Sequence, residues 1–250
     1  MEINVKVPME TMEDLSMAYT PGVAQPCREI HNNPETVYDY TWKGNSVAVV
    51  SDGTAVLGLG DIGPAAGLPV MEGKSVLFKK YANIDAVPLC IDTKDPQEII
   101  KFCKQIAPTF GGINLEDISA PRCVEIERTL KKELDIPVFH DDQHGTAIAC
   151  LSAVLGALRF VKKDIATAKF VVNGCGAAGS AIGRLLVNMG AQNVIMVDRF
   201  GALYEGIDAK LDRIQSYLAS VTNKEHKQGT LADVAKGADV MIGASAPNVF

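Results

Sequence analysis

Apolar positions along this chain follow two spacings, near 3.6 and near 2 residues, and the two alternate for most of its length. Residues 13–32 carry helical spacing interrupted at Tyr19-Thr20-Pro21-Gly22, where Pro and Gly break the backbone ladder. The β-branched run Ser46–Ser51 predicts a strand that closes on an Asp52-Gly53 turn. Val56-Leu57-Gly58-Leu59-Gly60 reads as a second strand entering a glycine-rich loop. A helix over 71–82 precedes the strand 86–91. Amphipathic helices over 95–106 and 121–134 precede the strand-like runs 111–115 and 136–139. Alternation of this kind predicts an α/β fold with a mainly parallel sheet.

Beyond Asp142, Ile148, Leu151, Leu155 and Leu158 predict a helix over 144–162, and the pair Lys162-Lys163 suits its C-terminal dipole. Asp164–Thr167 is the expected hinge, giving an N-terminal domain over 1–163 and a second domain over 164–250. The second domain reads as strand 169–173, helix 179–189, strand 193–198, helices near 207–220 and 231–236, and strand 239–243. The chain stops soon after what would be the fourth strand of a doubly wound sheet, leaving an apolar edge of the kind natural proteins cover. The expectation is therefore a partial Rossmann domain, either a fragment or a chain whose sheet is completed by a partner.

Composition narrows the class. The 250 residues are 47% hydrophobic and 22% charged with net charge −6, the profile of a soluble globular protein. An acidic balance argues against nucleic acid as a partner, because phosphate binding needs a basic footprint. No apolar run approaches the ~20 residues of a membrane span. The N-terminus lacks the basic-then-apolar profile of a signal peptide. Six scattered cysteines without a Cys-x-x-Cys pair fit a reducing, cytoplasmic location.

Chemistry concentrates at three places. Gly174-Cys175-Gly176-Ala177-Ala178-Gly179 matches G-x-G-x-x-G between a strand and a helix. In that setting the first glycine makes the turn, the second admits a pyrophosphate and the third lets helix pack on strand. Asp198 ends the next strand, placed to bind the ribose 2′-hydroxyl of NAD. The adjacent Arg199 is the group that would receive the 2′-phosphate of NADP.

Two acidic pairs lie upstream. Glu116-Asp117 closes the run Gly111–Leu115, and Asp141-Asp142 stands 24 residues further on, at the end of another apolar run. Clustered carboxylates suit Mg²⁺ or Mn²⁺, which prefer oxygen ligands. Neighbours on a regular strand face opposite ways, so Glu116 and Asp117 reach one ion only if the backbone turns there. Each pair taken alone is better explained by helix N-termini, which favour acids. A dinucleotide site nearby in sequence tips the reading toward metal.

Four segments, Ala18-Tyr19-Thr20-Pro21-Gly22-Val23, Gly58–Gly63, Gly111–Asp117 and His140–Thr146, occur in an order that resembles the short microbial malic enzymes. The resemblance implies metal-dependent oxidative decarboxylation of L-malate to pyruvate and CO₂ with reduction of NAD or NADP. It also implies a homodimer with the active site between its two domains. Carried over by position, Glu116, Asp117 and Asp142 match metal ligands, and Asp141 a carboxylate near the catalytic lysine. Lys74 matches the general base and Tyr19 the general acid. One departure is Ala55-Val56, where larger members place an arginine before Leu-Gly-Leu-Gly. Two other readings stay open: a non-catalytic dinucleotide-binding fragment, and a malolactic type that retains its cofactor and releases lactate.

The chemistry explains the groups. Loss of hydride from C2 requires the hydroxyl proton to leave, and a free lysine of pKa ~10.4 is a poor match for that near pH 7. Lowering it to about 7.5 takes about 4 kcal/mol, within reach of burial beside a cation. Decarboxylation places charge on the C2 oxygen, where a cation stabilises it, and C3 then needs an acid.

Overall fold

The structure, a computed structural model, describes residues 4–245 and 249. Ten α-helices and eight strands are assigned among them. By packing, the chain forms two compact units: 1–114 with 130–138, and 115–129 with 139–250. Residues 115–129 and 139–163, expected with the first domain, therefore group with the second unit.

In the first unit, helices α1 (Met12–Ala18) and α2 (Ala24–Asn32) flank the Tyr-Thr-Pro-Gly break, as the sequence predicts. Thr11 and Asp14 close a capping box at the start of α1. After the short α3 (Val37–Tyr40) comes β1 (Ser46–Ser51), whose residues from Ala48 to Ser51 are all buried. The expected strand at 56–59 does not form. Val56 and Gly60 make one isolated antiparallel bridge, and Gly58, Gly60 and Gly63 all take positive φ. Leu57 is 94% and Leu59 68% exposed there, so burial of this leucine pair among the described residues does not hold a strand. Helix α4 (Pro64–Leu77) starts seven residues before its expected onset, with Pro64 in the first turn. Its missing N–H is harmless at that position. A π-helical turn, Phe78–Ala82, follows and ends at Asn83 in the left-handed region. β2 (Asp85–Cys90) pairs with β1 in parallel register, Ser46 opposite Asp85 through Ser51 opposite Cys90. Val49, Met71 and Ala86 form a small core there.

α5 (Pro96–Ile106) leads to β3 (Gly112–Leu115), and α6 (Arg122–Glu133) leads to β4 (Val138–His140). The first sheet runs β2-β1-β3-β4. Both Leu115 and His140 are buried at the ends of their strands, immediately beside the acidic pairs.

The second unit begins its main body with α7 (Asp141–Phe160). Its buried face is Gln143, Ala147, Leu151, Val154 and Leu158, rotated from the expected one, and Ile148 is 57% exposed. That face joins a core with Phe170, Val172, Ile182, Leu186, Met196, Leu203 and Leu218, which explains why α7 packs with this unit. β5 (Lys169–Asn173) and β6 (Asn193–Asp198) sit exactly where the sequence places them, and β8 (Val240–Gly243) within one residue of it. A two-residue strand β7 (Gly201–Ala202) pairs antiparallel with β6 and was not legible in the sequence. The sheet order is β7-β6-β5-β8, with β5 parallel to both β6 and β8. Helices α8 (Ala177–Asn188), α9 (Arg213–Val221) and α10 (Leu231–Val234) complete the unit. Chain order reverses at β5, and such a switch point is where open α/β sheets bind ligands, beyond the carboxyl ends of the strands.

Candidate active site

The glycine loop lies at that switch point. Gly174 leaves β5 at φ 112°, and a Cβ there would fall 2.4 Å from the Ala244 carbonyl oxygen. A Cβ on Gly179 would fall 1.9 Å from the Gly174 carbonyl oxygen, so only glycine lets α8 approach the turn this closely. Gly176, the N-cap of α8, has open space where its Cβ would be. The loop thus offers a cradle at a helix N-terminus, backed by Ala177 and Ala178 in the first turn, that suits a pyrophosphate.

Asp198 ends β6 as expected. Its Oδ1 accepts from the Arg199 backbone N–H at 2.7 Å, and its Oδ2 accepts from Gln215 Nε2 at 2.6 Å. Gln215 is buried and was missed by sequence reasoning. Its signal is the Asp212-x-x-Gln215 capping box that starts α9. The Arg199 guanidinium lies over the Phe200 ring, 4.9 Å from its centroid.

The acidic pairs meet. One carboxylate oxygen each from Glu116, Asp141 and Asp142 lies within 4.8 Å of the others. Opposite ligands of a Mg²⁺-sized octahedron are about 4.2 Å apart, so a small contraction closes this set on one ion. Like charges near 4 Å repel by about 4 kcal/mol per pair at an effective dielectric of 20, which a cation relieves. The donor set, all carboxylate, fits a hard divalent cation. Asp117 stands differently from the expectation. Its oxygens are outside that group, while its backbone turns into the left-handed region at φ 52° and its N–H donates to Asp142 Oδ2 at 3.0 Å. The turn at the strand end is the feature needed for two adjacent acids to face one ion.

The surroundings hold these groups in place. His140 caps α7 and is fully buried; burial first, with His144 nearby, holds its pKa down to about 4, so it is neutral at pH 7. Gly145 has Asp141 lying over it, since a Cβ would fall 2.3 Å from Asp141 Oδ1. Glu127 of α6, buried at 3% exposure, receives hydrogen bonds from His140 N–H at 3.3 Å, Gln143 Nε2 at 3.4 Å and His144 Nε2 at 2.8 Å. Glu127 belongs to no motif legible in the sequence. Tyr19 and Lys74 both belong to the first unit. Tyr19 caps α1 and is 66% exposed; Lys74 is half-buried in the last turn of α4.

Comparison with known proteins settles the lineage. The profile of the malic enzyme N-terminal domain matches residues 1–99 and 93–131, and that of the malic enzyme NAD-binding domain matches 143–250. This chain belongs to the malic enzyme family. It is 56% identical over 249 residues to an NAD-dependent malic enzyme of Geobacillus stearothermophilus, covering 100% of this chain and 52% of the relative. It is 53% identical over 245 residues to a bifunctional malic/malolactic enzyme of Bacillus subtilis, covering 98% and 60%. The crystal structure of an NAD-dependent malic enzyme from Thermotoga maritima superimposes with a TM-score of 0.97 at 47% identity, covering 100% of this chain and 67% of that one. The chain thus spans little more than half the length of these curated relatives. No helix among the described residues is long and apolar enough to cross a membrane.

Proposed function

We propose that the protein carries out the oxidative decarboxylation of L-malate to pyruvate and CO₂, reducing a nicotinamide dinucleotide, in the cytoplasm and as a homodimer. The convergence of Glu116, Asp141 and Asp142 oxygens carries this reading, because such a set serves a cation-assisted reaction beside a dinucleotide fold. Exposed apolar residues on α1, Met12 and Met17 among them, support a self-association surface.

Glu116 and Asp142 would hold Mg²⁺ or Mn²⁺, with Asp117, whose oxygens stand outside the cluster, turning in as the third ligand and Asp141 adjoining them. When bound, the cation supplies Lewis-acid polarisation of a substrate oxygen. Lys74 would take the proton of the C2 hydroxyl, and a bound nicotinamide would supply the acceptor for the C2 hydride. The bond from C3 to the departing carboxylate then breaks, releasing CO₂. Tyr19 delivers the proton that C3 requires, and pyruvate results. The Gly174–Gly179 loop holds the pyrophosphate, and Asp198, braced by Gln215, takes the ribose hydroxyls. That brace supports NAD over NADP, since a fixed carboxylate repels a 2′-phosphate.

With Mn²⁺, malate and NAD, the protein is expected to generate reduced nicotinamide absorbance. Asp142→Asn abolishes that signal while NAD still binds; unchanged activity in the variant would reject the metal assignment. The Bacillus subtilis relative's malolactic activity makes lactate the second product to look for, and product analysis separates the two outcomes.

A further inference from the structure

We infer that Glu127 is a positioning residue for the divalent-cation site, acting through the first turn of α7. This rests on the metal reading above and goes beyond it. Glu127 supplies none of the three clustered oxygens. Its carboxylate instead receives hydrogen bonds from residues on both sides of the Asp141-Asp142 pair: the His140 N–H before it, and Gln143 Nε2 and His144 Nε2 after it. The pair is therefore gripped from its two ends by one buried side chain on a neighbouring helix.

The chemistry of the grip is directional. A carboxylate oxygen accepts, so His144 carries its proton on Nε2 and turns that edge toward α6. Its ring is further held against Phe139, 5.6 Å between centroids. At the other side of the site, Asp142 Oδ2 is tied to the Asp117 N–H. Glu127 and Asp117 thus bracket the Asp141-Asp142 turn, one by side chain and one by backbone. A carboxylate as buried as Glu127 is costly to hold unless hydrogen-bonded, and three of its donors come from the residues flanking the acidic pair. A fold that needed only packing at this position would be served by an apolar residue. Outer carboxylates that orient ligands are costly to remove, typically 10–100-fold in metal affinity.

The test is Mn²⁺ binding, followed by the loss of the free-ion electron paramagnetic resonance signal, with no turnover required. Glu127→Ala is expected to raise the Mn²⁺ dissociation constant at least tenfold, and Glu127→Gln, which keeps an acceptor for His144, by clearly less. Ile126→Ala, which empties the adjacent fully buried position on the same helix, should bind Mn²⁺ within twofold of the parent. The ¹⁵N shifts of His144 should report loss of the fixed tautomer in Glu127→Ala alone. Parent-like Mn²⁺ affinity in Glu127→Ala, or an equal loss in Ile126→Ala, overturns the proposal while leaving the metal site standing. A parent protein that binds no Mn²⁺ overturns the metal reading, and this proposal with it.

Discussion

Gly176 and Gly179 occupy the same loop yet carry different physical burdens. Gly179 has no room for a methyl group, while Gly176 has nothing near its would-be Cβ. Gly179→Ala is therefore expected to destabilise the fold by about 1–3 kcal/mol, as overpacking does. Gly176→Ala should leave stability within about 0.5 kcal/mol, since it touches no core feature, yet weaken dinucleotide binding tenfold or more by filling the cradle. Thermal unfolding and a fluorescence titration with NAD read the two effects separately. A Gly176→Ala variant that binds NAD normally would mean the pyrophosphate lies elsewhere. The glycine pattern was fully legible in the sequence because its demands are local. The roles of Gln215 and Glu127 were not, since each acts on a residue 17 or 13–17 positions away through tertiary contact.

Elements carry the same contrast. Strands β5 and β6 matched their hydrophobic runs because β5 is buried on both faces past its first residue, β6 is buried or half-buried throughout, and turn residues bound each. The run at 56–59 failed because Gly58 within it and Gly60 just after it take positive φ and its leucines stay exposed. α7 began at Asp141 rather than 144, because its acids open the helix as well as meeting Glu116. Both the helix N-terminus and a cation suit acids at this pair, and the geometry is compatible with both. Helix α9 joins an element to the cofactor: Asp212 accepts from the backbone of Ile214 at 2.7 Å and Gln215 at 2.8 Å, and Gln215 in turn holds Asp198. Asp212→Ala is expected to cost about 1 kcal/mol of stability and to weaken NAD binding several-fold. Denaturant unfolding with a parallel NAD titration checks both. An unchanged NAD affinity would show that Asp198 needs no such support.

At the scale of the whole molecule, acid should undo the fold through many small contributions. Asp85 is held below its usual carboxylate range by hydrogen bonds from Lys79 and Asn45, Asp239 by Lys163 and the Lys169 N–H, and Asp14 and Asp233 by Thr11 and Thr230. A depressed folded-state pKa gives stability that is present above the unfolded value and lost as pH falls through the folded one. Stability should therefore be flat from pH 7 to about 5 with respect to these groups and decline below about pH 4. Circular dichroism melts across that range test it, and a midpoint that rises on acidification would contradict the sign. The two-unit division itself was only partly readable from sequence. The sequence places a hinge at Asp164–Thr167 from a local break in pattern, whereas the units divide after 114, 129 and 138, and α7 joins the second unit through a buried face that only the fold reveals.

The central claim is that carboxylates from separate stretches surround one divalent cation, and anomalous scattering from a crystal soaked in Mn²⁺ tests it most directly. The account predicts a single strong peak about 2.1 Å from oxygens of Glu116 and Asp142, with Asp117 turned in as the third carboxylate. A peak coordinated away from Glu116 and Asp142, or no peak at saturating Mn²⁺, would contradict it.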